Sequence, residues 1–138
     1  MPPIIYQQIV PGVEYACHPD HRNGNYNKSQ WTIQQADEVQ SFRHAHAQTW
    51  IVNSRGWGLH IQNGSPDYLG VGVDRNRRLF VARFEDGNAN QKWHGYPADH
   101  QSKVNDRLPE ELKQLWLENN VLAPAKIRKL AKGEPCNL

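Results

Sequence analysis

Short apolar and aromatic runs, broken at regular intervals by turn residues, organise the middle of the chain. Residues 50–53, 56–62, 68–74 and 78–84 are four such runs, rich in β-branched and aromatic side chains. In the fourth, Leu79, Val81 and Arg83 alternate with Phe80, Ala82 and Phe84, so the two sets face opposite sides of a strand. The separators Asn63-Gly64-Ser65-Pro66, Asp74-Arg75-Asn76-Arg77 and Glu85-Asp86-Gly87-Asn88 are too short for parallel crossovers, which predicts antiparallel neighbours. Residues 92–96 add a fifth strand, ended by Pro97. Upstream, residues 4–10 read as a strand stopped by Pro11-Gly12, and residues 13–17 as a second extended piece. A polar loop with strong turn chemistry covers residues 18–28.

Helical spacing brackets this β region. Thr32 and Gln35 form a capping-box pattern, Asp37 and Glu38 fall in the first turn, and Ala36, Val39, Phe42 or Arg43, and His46 or Ala47 recur at helical spacing. That predicts a helix of about 15 residues ending before Trp50. Near the C-terminus a helix starts at Asp106 or Leu108, with Pro109 in its opening turn and Leu108, Leu112, Leu115 and Trp116 on one face. Asn119-Asn120 ends it. Pro124 opens a second helix with Ile127, Leu130 and Ala131 inward, stopped by Gly133 and Pro135. The expected fold is α+β: one long helix in the N-terminal half, an antiparallel meander of four to five short strands, and a C-terminal αα-hairpin, all within one globular domain over residues 1–138.

Charge narrows the function classes. Sixteen Lys and Arg against fourteen acids leave a formal net charge of +2, too small to argue nucleic-acid binding from the global field. Any cationic function must come from clustering. Seven His add charge below about pH 6.5. No run of about 18 apolar residues exists, so no membrane partner is expected. The opening Met1-Pro2-Pro3-Ile4-Ile5 lacks a basic region followed by an apolar run, and Cys17 and Cys136 are the only cysteines; free thiols and a cytoplasmic location are the expectation.

No nucleotide-binding loop, complete metal spacing or nucleophile motif is present, so candidate chemistry rests on local clusters. The densest is Trp93-His94-Gly95-Tyr96-Pro97-Ala98-Asp99-His100. Its imidazoles suit proton transfer near neutrality, and Gly95 and Pro97 fix the backbone around them. Adjacent residues on a strand end cannot all converge, so the segment supplies part of a site. Cys17-His18-Pro19-Asp20-His21 contains metal-ligand types but only one ligand cluster, where structural zinc needs two. His44-Ala45-His46 lies on the predicted helix, where side chains two apart diverge, which argues against a shared metal. The C-terminal pair resembles a helix-turn-helix in outline, yet Lys126, Arg128, Lys129 and Lys132 suit phosphate rather than base edges, and Glu110, Glu111 and Glu118 would repel a phosphate backbone. Sequence-specific DNA binding is therefore not expected.

Two functional readings follow. In the first, the protein is a binding or interaction module contacting a macromolecular partner (protein or RNA) or a phosphate-bearing ligand. Its contact surface would be a sheet face and the Trp93–His100 loop, where Arg75, Arg78 and Lys92 supply charge and Trp93, His94 and Tyr96 supply stacking and hydrogen bonds. In the second, it is a metal-free, cofactor-independent hydrolase of ribonuclease type. His94 or His100 would work with His21 or His60 across a cleft, and Arg83 or Lys92 would stabilise developing charge. The two diverge on convergence: the enzyme requires imidazoles and a cation gathered in one concave site.

Overall fold

The structure, a computed structural model, describes residues 5–138, so Ile4, where the first strand is expected to begin, lies outside the described residues. Strands β1 (Gln7–Val10) and β2 (Val13–Tyr15) form an N-terminal hairpin; β3 (Gln30–Trp31) and helix α1 (Gln35–Ala47) follow a long loop. Then come β4 (Ile51–Val52), β5 (Arg55–Gln62), β6 (Ser65–Asp67), β7 (Gly70–Val71), β8 (Arg78–Leu79), β9 (Val81–Glu85) and β10 (Lys92–Pro97). Helices α2 (Glu110–Glu118) and α3 (Pro124–Lys132) close the chain, and 3-10 turns occupy Pro19–His21 and Val104–Asp106.

The α+β class is observed, with three α-helices and mixed sheets among the described residues, but the expected meander holds only in part. The main sheet runs β1-β2-β10-β9-β5-β4, with β6 paired to β5. Within it β4, β5, β9 and β10 are antiparallel neighbours. Asn53-Ser54 and Asn63-Gly64 turn the chain with both residues left-handed, matching the twist of the strands they join. Two departures are non-local. β7 and β8 leave the main sheet and form a second, antiparallel one with β3, in the order β3-β7-β8. The N-terminal hairpin joins at β10 through a parallel pairing, Lys92 opposite Glu14 and Trp93 opposite Tyr15. Turn chemistry specifies only strands joined by short loops, and the whole of residues 16–91 intervenes here.

Alternation along β10 sorts its side chains. Trp93, Gly95 and Pro97 are buried, whereas His94 and Tyr96 are half-buried on the other face. On the buried face α1 packs Phe42 and Ala45 against Tyr15, Phe84 and Trp93; Phe42 stacks on Tyr15 at 4.8 Å and meets Phe84 edge-on at 5.2 Å. The close approach needs Gly95: a Cβ there would lie 2.7 Å from the Tyr15 hydroxyl oxygen.

The first helix is shorter than expected and is not capped by Thr32. The Thr32 N–H donates to Leu69 O at 3.0 Å, extending the β3 pairing, so the helix begins three residues later, with Gln34 as its cap. The C-terminal hairpin appears as expected in outline, although α2 starts only at Glu110; Asp106 belongs to the preceding 3-10 turn. Leu112, Trp116, Ile127 and Leu130 are buried, Trp116 packs 5.0 Å from Trp50, and left-handed Gly133 closes α3. Cys17 and Cys136 are free thiols, and no helix among the described residues is long and apolar enough to cross a membrane.

Candidate functional site

The face of the main sheet opposite α1 carries two ladders of chemistry-bearing side chains. Across β5, β9 and β10, Arg55 lies opposite Glu85 and Glu85 opposite His94. One step along, Trp57 lies opposite Arg83 and Arg83 opposite Tyr96. Side chains directly opposite share a face and approach within about 5.5 Å at Cβ, so pairing alone gathers these groups. The 18–29 loop forms one wall over them and residues 99–106 another. Between the walls lies a cleft of about 570 Å³ whose lining includes His21, Lys28, Arg55, Arg83, Glu85 and His94.

Two imidazoles line this cleft and a third adjoins it. His94 Nε2 is 4.0 Å from Glu85 Oε2, and the His94 ring centroid is 5.9 Å from that of His18. His21 stacks on Tyr96 at 5.1 Å and 19° between planes. Its Nδ1 lies 3.0 Å from the Ser29 carbonyl, which as an acceptor fixes the proton on Nδ1 and leaves Nε2 with the lone pair in the neutral ring. Burial pushes both His21 and His94 below the ordinary imidazole value. The Ser29 bond opposes this at His21, and the Glu85 charge opposes it at His94.

Arg83 is the buried cation of the site, only 2% exposed. Its Nη2 donates to Glu85 Oε1 at 2.9 Å, and its Nη1 donates to the Asn105 carbonyl and, at 3.3 Å, to Asp106 Oδ1. Its Nε–H has no acceptor among the described residues. Asp106 also accepts from the Tyr96 hydroxyl at 3.0 Å and the Asp99 N–H at 2.8 Å. This one carboxylate therefore ties the 3-10 turn to the Trp57–Arg83–Tyr96 ladder. Lys28, Arg55 and Lys103 are exposed cations on the rim. The cleft thus combines two imidazoles, a carboxylate and several cationic side chains in one lining.

The remaining sequence candidates are dispersed. Trp93 is a core residue, 2% exposed, on the α1 face. Lys92 sits 5.6 Å over the Tyr6 ring and Arg78 4.6 Å over Tyr68, away from the cleft. Arg75 spends its guanidinium on the carbonyls of Gly24, Asn25, Lys28 and Gly72. His100 is buried outside the cleft, its Nε2 2.7 Å from the Glu134 carbonyl, and burial lowers its pKa too. His60 lines a separate pocket with His44. Asp99 lines the cleft but is held by Arg77 through two 2.6 Å contacts. Among the described residues no three His, Cys, Asp or Glu side chains are grouped as a metal would require.

Thus the structure brings together His94, His21, Arg83 and Tyr96, and adds Glu85, Arg55 and Asp106, which sequence reasoning missed. Glu85 had a signal: it follows Arg83 by two in a strand and so shares its face. Asp106 had none, because its partners come from β9 and from the end of β10 and just beyond it, distant in the sequence pattern. No family model, curated protein or solved structure matches the chain.

Proposed function

We propose that the cleft cleaves RNA by acid–base transfer between two imidazoles. The observation that carries this reading is the gathering of His21, His94, Glu85 and Arg83 in one concave, cation-rimmed site. The lone pair on His21 Nε2 suits it to accept the proton of a 2′-hydroxyl as the O2′–P bond forms. His94, beside the Glu85 carboxylate, suits the complementary role: as imidazolium it gives its proton to the departing 5′-oxygen as the P–O5′ bond breaks. The product is a 2′,3′-cyclic phosphate. Water then opens it with the roles reversed, returning both rings to their starting states. Lys28, Arg55 and Lys103 on the rim draw in the backbone and supply positive charge where the phosphoryl oxygens gain negative charge, while Arg83, paired with Glu85 and Asp106, holds Glu85 beside His94.

Digestion of single-stranded RNA by wild type, His21→Ala and His94→Ala tests this. Each substitution is expected to lower the rate by about 10²–10⁴-fold, the usual worth of one positioned proton carrier. Equal rates in all three, or no cleavage by wild type, would sink the catalytic reading. Tight RNA binding without cleavage would return the cleft to the interaction-module reading.

A further inference from the structure

We propose that Tyr26 is a stacking subsite for a nucleobase beyond the two that flank the scissile phosphate, so that the cleft takes a single-stranded oligonucleotide longer than a dinucleotide. The nature of the ligand rests on the acid–base reading of the cleft. Tyr26 is 87% exposed, an aromatic ring with no aromatic or hydrogen-bonding partner among the described residues. The loop that carries it is nevertheless heavily tied down. Arg75 Nη1 donates to Lys28 O at 2.9 Å, and Nη2 donates to Asn25 O at 2.7 Å and Gly24 O at 3.2 Å. Within the loop, Asn25 N–H donates to Asn23 Oδ1 and Asn27 N–H to Asn25 Oδ1, while Gly24 N–H donates to the buried Gln30.

Arg75 holds this clamp from a left-handed backbone, φ 63°, a conformation that strains any residue with a Cβ. These bonds fix the loop, and what the loop holds out is a flat ring. Its chain neighbours Asn27, Lys28 and Ser29 line the cleft beside His21. The surroundings are cationic and amide-rich, unlike the contiguous apolar patch of a protein-docking core. A lone rigid aromatic next to phosphate-binding cations is the arrangement by which proteins hold single strands: charge follows the backbone and the ring stacks on any base. With few rotatable bonds of its own and a loop already ordered, Tyr26 loses little entropy on stacking.

The test uses 2′-deoxy oligonucleotides, which lack the attacking hydroxyl and report binding alone. Affinities for a labelled deoxyhexanucleotide and a deoxydinucleotide are measured at one salt concentration for wild type, Tyr26→Ala and Tyr26→Trp. Tyr26→Ala is expected to weaken the hexanucleotide by about tenfold, within the range of one base stack, and to leave the dinucleotide unchanged. Tyr26→Trp should bind the hexanucleotide at least as well as wild type. Unchanged hexanucleotide affinity in Tyr26→Ala overturns the proposal, as does equal weakening of both ligands or the absence of wild-type binding. RNA cleavage is scored separately. Tyr26-dependent binding without cleavage removes the catalytic reading and keeps the subsite, whereas cleavage indifferent to Tyr26 does the reverse.

Discussion

Glu38 sits in the first turn of α1, where its sequence position suggests a solvated acid favoured by the helix dipole. It is instead fully buried. The Tyr15 hydroxyl donates to its Oε2 at 2.6 Å, and Arg22 donates to its Oε1 from Nε at 3.1 Å and Nη2 at 2.7 Å. Burial raises the carboxyl's pKa, while the Tyr15 and Arg22 bonds pull it down. One side chain therefore links β2, α1 and the start of the loop that carries His21. Glu38→Ala would leave the Arg22 charge and the Tyr15 hydroxyl without a partner, a loss expected to be about 3–5 kcal/mol in urea denaturation. Glu38→Gln keeps an oxygen for Tyr15 and should lose less. Equal stability of wild type and Glu38→Ala would mean that the cluster contributes nothing net. The sequence could place Glu38 on a helix but not inside the protein, because the compensating Arg22 comes from a loop with no periodicity.

Strand β10 shows the same limit at the scale of an element. The density of His and aromatic residues in 93–100 marks it in the sequence, yet period-2 alternation divides that density between two faces. Trp93 and Gly95 face α1; His94 and Tyr96 face the cleft. The aromatic that looks most like a contact residue is thus a core residue. Trp93→Ala is expected to cost about 3–5 kcal/mol of stability, as a large buried aromatic does. Gly95→Ala is expected to cost about 1–3 kcal/mol by overpacking against Tyr15 and Phe84. Both are read from denaturation midpoints at constant slope, and a Trp93→Ala midpoint equal to wild type would put the indole outside the core. What was legible here was the strand and its alternation. Which face became core depended on α1, and on a parallel pairing with β2 that no local turn signals.

At the scale of the whole molecule, folding and the proposed chemistry respond to the same titrations. His21, His94 and His100 are held neutral chiefly by burial, each with a folded pKa below the ordinary value of about 6.5. The unfolded chain binds protons at those positions before the folded one does. The stability they contribute is therefore complete above about pH 6.5 and is lost as pH falls through that value toward the folded pKa values. Glu38 and Asp106 act oppositely: burial raises their carboxyls, so the folded state takes up protons first as acid is added, but from unfolded values of 4.5 and 3.8. Their offset is complete only below those unfolded values, whereas the loss from the imidazoles begins at about pH 6.5, so the thermal midpoint is expected to fall as pH drops below about 6.5. His100→Gln, remote from the cleft, should make that fall shallower; a midpoint flat from about pH 7 to about pH 5 contradicts the burial assignment. In the cleft, His94 must carry a proton while His21 lacks one. With both rings depressed, the bell of kcat/KM against pH should centre on the acid side of about 6.5, its limbs belonging to the interacting pair rather than to either ring alone. Rate would then rise over the interval in which stability falls, and the two opposed curves can be measured on one preparation. A bell centred above neutrality would separate them and take the two imidazoles out of the proton-transfer roles.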